Sequence, residues 1–204
     1  MFATKNYQII QSFLSPEMCQ LVFDYISLRR ETKTMLEPDD RVPGAGRLNG
    51  DMLLETILKQ KQSTIETLIG APVWPSYTYA RMHSCGASMV RHIDRPASEI
   101  GVTVAIGGDR KWPIWFSTAD GDVPVELESG EAVMYRGCIL PHWRERYAGR
   151  IQVQCMFFYV EKNGPNAVWK FNGRKGVGFP QPVSVGMSVY QTLKRLNPFH
   201  ASQK

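Results

Sequence analysis

The chain of 204 residues, 43% hydrophobic and 21% charged, has the length of one sizeable domain, and its composition excludes disordered, collagen-like and coiled-coil proteins. Its net charge of +5 comes from residues 161–204, which hold seven Lys and Arg against one Glu, while residues 1–160 sum to −1. The near-neutral main part disfavours a nucleic-acid groove, although the basic segment leaves this partner open.

The first part of the chain predicts a short strand and two helices. Residues 7–13, YQIIQSF, are typical of a strand, and Ser15 with Pro16 then supplies a capping hydroxyl and a proline at the first helical position. Residues 37–50 have the Pro, Gly, Asp and Asn density of a loop, which we expect to be mobile. Asp51 can cap a second helix, which we expect to end near residue 69.

From Pro75 onward the pattern changes to short apolar or alternating runs separated by turn residues. Eight runs of this kind cover residues 76–83, 87–93, 100–106, 112–117, 123–127, 131–136, 138–143 and 150–160. Eight strands after two helices predict a mainly β fold with flanking helices, namely a double-stranded β-helix, or cupin-like jelly roll, packed against N-terminal α-helices.

This pattern also predicts how the chain is divided. We expect a domain over residues 1–160, with helical support over 15–70 and the jelly-roll core over 75–160. Residues 161–204 then form a basic C-terminal extension.

The four cysteines lack C-x-x-C spacing, no apolar run approaches the roughly 20 residues of a membrane span, and the N-terminus lacks signal-peptide blocks. We therefore expect free thiols and a cytoplasmic protein that contacts no membrane.

The segment VRHIDRP places His92 and Asp94 two residues apart. On a strand both side chains then point to the same face, about 6.6–6.8 Å apart along the backbone, which suits one metal ion. His142, on the penultimate predicted strand, is the candidate third ligand, and two histidines with one carboxylate are typical of non-haem iron sites with open coordination positions. A turn-stabilising pair at 92 and 94 and a structural histidine at 142 are the alternatives.

Two arginines are candidates for binding an acid beside such a metal. Arg150 opens the last predicted strand, where its guanidinium could hold a carboxylate by two parallel hydrogen bonds. Arg144 is the rival, because it follows His142 by two residues and so shares its strand face. Tyr79 and Arg81 alternate along the first core strand and could face the same cavity.

Three segments of the chain resemble the iron(II)/2-oxoglutarate-dependent dioxygenases, in particular the prolyl 4-hydroxylase branch. FLSPEMCQLV is similar to that branch's N-terminal helix entry, YARMHSCGASMVRHIDRP to its strand–turn–strand with H-x-D, and LESGEAVMYRGCILPHWRERYAGRIQVQCMFFYV to its distal-histidine and final-strand segment. The resemblance covers about residues 12–160 and implies that His92, Asp94 and His142 bind Fe(II). It also implies that Arg150 binds the distal carboxylate of 2-oxoglutarate.

By this resemblance the protein hydroxylates a C–H bond, consuming O2 and converting 2-oxoglutarate to succinate, with ascorbate as an accessory cofactor. The expected substrate is a prolyl residue of a peptide. The alternatives are a free amino acid, a small metabolite or a nucleic-acid base, or a non-catalytic metal-binding jelly roll.

The sequence also offers candidates for substrate recognition. Arg81, Arg95 and Trp115 are candidate substrate contacts, although Trp115 equally suits packing and Arg95 could instead support the neighbouring carboxylate. The loop over residues 37–50 and the segment over 161–204 are the expected substrate-selecting parts.

Overall fold

The computed structural model describes residues 2–36, 42 and 45–180. The helices are α1 Phe2–Lys5, α2 Pro16–Glu31 and α3 Met52–Ile69, with 3₁₀ segments at Pro96–Ser98 and Ala167–Gly173. The strands are β1 Tyr7–Ile10, β2 Gly46–Asn49, β3 Val73–Ser84, β4 Met89–His92, β5 Ile100–Gly108, β6 Ile114–Thr118, β7 Gly121–Val125, β8 Ala132–Arg136, β9 His142–Arg144 and β10 Ile151–Glu161. No helix within these ranges combines the length and apolarity that crossing a membrane requires.

Both long helices begin where their capping residues predict. The Ser15 hydroxyl accepts a hydrogen bond from the Met18 amide at 3.3 Å, and Pro16 occupies the first helical position of α2. Asp51 caps α3 by accepting from the amides of residues 53 and 54. Helix α3 ends at Gly70, whose φ of 71° lies in the left-handed region that glycine tolerates. The predicted starts of both helices are therefore confirmed.

The strands form two antiparallel sheets. The large sheet has the order β1-β8-β5-β10-β3-β2, and the small sheet has the order β4-β9-β6-β7. Helices α2 and α3 cover the outer face of the large sheet, where their apolar residues share a core with Val104 and Phe157. A second core lies between the sheets, where Ala105 faces Ile114 and Phe116. The predicted mainly β jelly roll packed against N-terminal helices is therefore confirmed, and all four cysteines are free thiols, as predicted.

Several segments differ from the prediction. Helix α1 was not predicted, and the strand predicted over residues 7–13 ends at Ile10. Residues 46–49 of the predicted loop form β2, because their backbone pairs with the edge of β3 in the register Leu48↔Ala80. The remaining loop residues 37–41, 43 and 44 lie outside the described part of the chain. The strand predicted over 138–143 begins only at His142, because the amide of Leu140 donates to the Arg136 carbonyl at 2.9 Å and closes a turn.

Residues 162–180, which follow β10, pack against the domain. The Arg174 guanidinium forms an ion pair with Glu55 of α3 at 2.6 Å, and both side chains are almost fully buried. Arg174 also donates to the Ser76 carbonyl of β3 at 2.9 Å, and its Nε donates to the Phe171 carbonyl at 2.8 Å. The rest of the predicted extension, residues 181–204, lies outside the described part.

Removing one partner of this buried pair is expected to weaken the fold strongly. Glu55→Ala leaves the Arg174 guanidinium buried without its carboxylate, so we expect the free energy of unfolding to fall by about 3–5 kcal/mol. Urea unfolding measures this loss, and a Glu55→Met, Arg174→Met double variant should recover much of it. A loss below about 1 kcal/mol in Glu55→Ala would contradict a buried, uncompensated charge.

Candidate metal centre

The fold brings His92, Asp94 and His142 together. His92 ends β4 and lies opposite His142, the first residue of β9, while Asp94 lies two residues after the end of β4. One ligand atom from each of the three residues lies within 4.8 Å of the other two. The Nε2 atoms of His92 and His142 are 3.6 Å and 3.8 Å from the two Asp94 carboxylate oxygens. The cluster predicted from the sequence is therefore present in the structure.

Backbone carbonyls orient both histidines of the cluster. Nδ1 of His92 lies 2.8 Å from the Val90 carbonyl oxygen, and Nδ1 of His142 lies 2.9 Å from that of Leu140. Because a carbonyl only accepts, each Nδ1 carries the proton and each Nε2 keeps its lone pair for a metal ion. Burial lowers the pKa of His142, which keeps its imidazole neutral and able to bind a metal.

The Asp94 carboxylate has the surroundings of a metal ligand. Its Oδ2 is buried and has no hydrogen-bond partner among the described residues, an arrangement that is unfavourable unless a cation lies beside it. The Asp94 amide donates to the Gly137 carbonyl at 2.8 Å, and a Cβ at Gly137 would lie only 2.6 Å from Oδ2. Gly137 thus leaves the space that the carboxylate occupies. The three residues fit a divalent metal, and two imidazoles with one carboxylate suit Fe(II).

The triad lies in a cavity of about 300 Å³ between the two sheets. Alternate residues of β3 and β10 form its wall on the large sheet, and β4, β6 and β9 close it from the other side. It is lined by Val42, Asn49, Tyr77, Tyr79, Arg81, His83, Met89, His92, Asp94, Arg95, Thr103, Ile114, Tyr135, His142, Arg144, Gln154, Met156 and Phe158. The cavity is large enough for a small organic ligand beside the metal.

Arg144 is a buried cation inside this cavity. Its guanidinium donates to the carbonyl of Trp112 and to Oε1 of Gln154, the latter at 3.3 Å. Burial lowers its pKa to about 10, so the group is still charged at neutral pH. Within the described ranges no carboxylate forms an ion pair with it. A buried charge of this kind is a ready binding point for an anion.

Arg150 lies outside the cavity that its rival Arg144 lines, so this geometry does not support the assignment of Arg150 to the cosubstrate, which stays a prediction. Its side chain is 90% exposed and contacts Asp109, with Nε 3.4 Å from the carboxylate. Asp109 also accepts hydrogen bonds from the amides of Ile151 and Arg150 and from the Tyr147 hydroxyl. These backbone hydrogen bonds hold the pKa of Asp109 far below its usual range. They hold the turn before β10, and Arg150 therefore points to solvent.

Of the other four candidate site residues, three line the cavity and one does not. Tyr79, Arg81 and Arg95 line the cavity. Trp115 does not line it, because the neighbouring β6 residues face the inner core while Trp115 stacks on Trp143 of β9, with ring centroids 6.0 Å apart. Trp115 therefore lies outside the cavity lining in a packing contact, and its assignment as a substrate contact stays a prediction.

Several polar residues of the cavity were not predicted from the sequence. His83 is buried on β3, and burial together with Arg144 and Arg81 holds its pKa well below the usual value. Gln154 of β10 also faces the cavity, and its polarity within a run of apolar residues was the signal that could have identified it. Tyr135 approaches His142 to 4.7 Å between ring centroids and occupies space that a side chain at position 101 would fill.

No family model matches the sequence, and no curated protein matches it. Solved structures match the fold. A Pseudomonas putida prolyl-4-hydroxylase is 15% identical over 78% of this chain and 95% of its own, with a TM-score of 0.63. A Trichoplax adhaerens prolyl hydroxylase, solved with a hypoxia inducible factor peptide, is 14% identical over 79% and 86%, with a TM-score of 0.64.

A third structure extends the similarity over more of the chain. The epimerase SnoN, solved with Fe3+, alpha ketoglutarate and nogalamycin RO, is 10% identical over 88% of this chain and 89% of its own, with a TM-score of 0.68. The fold is thus common to proteins that catalyse different reactions. The chain has the jelly-roll fold of the iron- and 2-oxoglutarate-dependent oxygenases.

Proposed function

We propose that this protein is an Fe(II)- and 2-oxoglutarate-dependent dioxygenase that hydroxylates a C–H bond and releases succinate and CO2. One observation carries the proposal. The cavity that contains His92, Asp94 and His142, with an unpaired buried carboxylate oxygen, also contains the buried cation Arg144. A metal site and an anion anchor in the same cavity are what a metal-chelating dicarboxylic acid requires.

Three residues of the cavity bind the metal and one binds the cosubstrate. His92 and His142 hold Fe(II) through Nε2, and Asp94 holds it through its carboxylate. Bound Fe(II) supplies the oxygen chemistry that no protein side chain provides. Arg144 binds the far carboxylate of 2-oxoglutarate, which supplies the negative charge that the described residues around this guanidinium do not.

Residues around the anchor shape the rest of the pocket. The Tyr79 hydroxyl accepts a hydrogen bond from Arg81 at 3.2 Å and lines the same cavity, which makes Tyr79 a candidate cosubstrate contact. Met89, Met156 and Phe158 form part of the apolar lining of the cavity and exclude water from the reacting groups. Their role is to direct the chemistry to a substrate carbon rather than to solvent.

The substrate proposed here is a prolyl residue of a peptide. The structural neighbours that support it are the two prolyl hydroxylases, one of them solved with a peptide. SnoN, an epimerase, and HygX, solved with nickel, 2-oxoglutarate and hygromycin B, make a small molecule the competing substrate class. Succinate release stimulated by proline-containing peptides, compared with free amino acids, distinguishes the two classes.

The central experiment is reconstitution with Fe(II) and 2-oxoglutarate under air. We expect succinate formation that requires both additions, together with oxygen consumption. Calorimetric titration of 2-oxoglutarate into the zinc-loaded protein measures cosubstrate binding without turnover. Metal binding without affinity for 2-oxoglutarate and without oxygen consumption would refute the proposal in favour of a non-catalytic metal-binding jelly roll.

A further inference from the structure

Arg95 lies at the mouth of the cavity and is held in place by several contacts. It directly follows the carboxylate Asp94 in the chain, and its guanidinium carbon lies 4.7 Å from the centre of the Tyr77 ring. Its Nη2 donates to the Asn172 side-chain oxygen at 2.8 Å, and its carbonyl accepts a hydrogen bond from the Cys138 thiol at 3.3 Å. These contacts restrict the conformation of Arg95, whereas a surface arginine that binds nothing usually keeps its rotamer freedom.

The segment that supplies Asn172 is itself strained and anchored. Phe171 and Asn172 have φ values of 54° and 56°, a left-handed conformation that asparagine adopts readily but that is unfavourable for a bulky residue such as Phe171. The buried ion pair between Arg174 and Glu55 fixes the chain directly after this turn, and Arg174 also binds the Phe171 carbonyl. Strain that the surrounding structure maintains is typical of ligand clamps.

The charges of the site with metal and 2-oxoglutarate bound indicate what Arg95 would bind. A divalent metal with the Asp94 carboxylate carries +1, and the two carboxylates of 2-oxoglutarate bring the sum to −1. The Arg144 guanidinium, assigned to the far carboxylate, brings it to zero. The groups assigned to metal and cosubstrate therefore balance one another. Arg81 also lines the cavity but is buried against the Tyr79 ring, whereas the charge of Arg95 lies at the mouth, where a substrate enters, and has no counterpart among the assigned groups.

We infer that Arg95, positioned by Asn172 and Tyr77, binds an oxyanion of the substrate, so that the substrate carries a carboxylate or phosphate group near the carbon that reacts. This inference rests on the proposed function and narrows its substrate class. For a prolyl substrate it selects a free carboxylate at the proline or an acidic neighbour over an uncharged internal peptide. A guanidinium suits this role because its planar fork of N–H groups matches an oxyanion, and Asn172 uses only one of them.

The test measures binding rather than turnover. Acetate and inorganic phosphate are titrated separately into the protein loaded with zinc(II) and saturating 2-oxoglutarate, followed by calorimetry. We expect saturable binding of at least one anion, weakened at least about tenfold by Arg95→Gln, as for loss of a charge-assisted hydrogen bond. The stronger of the two anions then distinguishes a carboxylate from a phosphate group.

Two further variants control the result. Asn172→Asp places a carboxylate on the same guanidinium and should weaken the anion as much as Arg95→Gln does. Arg150→Gln removes an exposed arginine outside the cavity and should leave the affinity unchanged. No saturable binding to the wild type, or equal binding to Arg95→Gln, would overturn the inference. Failure of the proposed function is seen separately, because 2-oxoglutarate would then not bind in the preceding titration.

Discussion

The His92→Ala, Asp94→Ala double variant is expected to form no iron-dependent succinate and to bind divalent metal more than about 100-fold more weakly, because even residues that only orient metal ligands are worth 10–100-fold. The variant removes one imidazole nitrogen and the carboxylate from a cluster whose ligand atoms lie within 4.8 Å of one another. Calorimetric metal titration measures the affinity, and succinate formation measures the activity.

The matched control is His83→Gln, which changes a histidine of the same cavity that is not part of the triad. This variant should keep the metal affinity of the wild type.

Without metal, an Asp94→Asn variant should be at least as stable as the wild type, because it removes the charge from a carboxylate whose Oδ2 is buried and unpaired in the described structure. Full turnover by the double variant would end the assignment of the metal site.

Arg144→Met is expected to raise the dissociation constant of 2-oxoglutarate by roughly 30- to 100-fold, the size of a lost buried hydrogen bond to a charged group. Metal affinity should stay unchanged, since Arg144 is two residues from His142 and is not a ligand. Titration of 2-oxoglutarate into the zinc-loaded protein measures the effect. Arg144→Lys should recover only part of the affinity, because an ammonium lacks the planar fork of the guanidinium.

Two other arginines provide the comparison. Arg150→Gln should bind 2-oxoglutarate as the wild type does, because its side chain is 90% exposed and contacts Asp109 instead of the cavity. Arg81→Met should have a smaller effect than Arg144→Met, since Arg81 lies against the Tyr79 ring at 4.9 Å. A larger loss in Arg150→Gln than in Arg144→Met would restore the assignment that the sequence favoured.

Local patterns predicted most of the scaffold correctly. The caps at Ser15 and Asp51 act through hydrogen bonds to amides two or three residues away, so a short window of sequence contains the whole interaction. The strands were recognisable because one or both faces are buried, as in β5 and β10. Strand β2 was missed because its segment has the turn-residue density of a loop, and it becomes a strand only by pairing with the edge of β3, 30 to 36 residues along the chain.

The sequence by itself determined the jelly-roll fold, the helices that cover it and the pairing of His92 with Asp94, because alternation and capping act over a few residues. Only the tertiary structure decided which arginine enters the cavity. Asp109 holds the turn before β10 through hydrogen bonds to residues 150 and 151, and it turns Arg150 to solvent, while Arg144 remains on the buried face of β9. The Arg144 charge inside the cavity is left unpaired because of contacts between strands that are far apart in the sequence. The spacing of residues along a single strand does not encode such contacts.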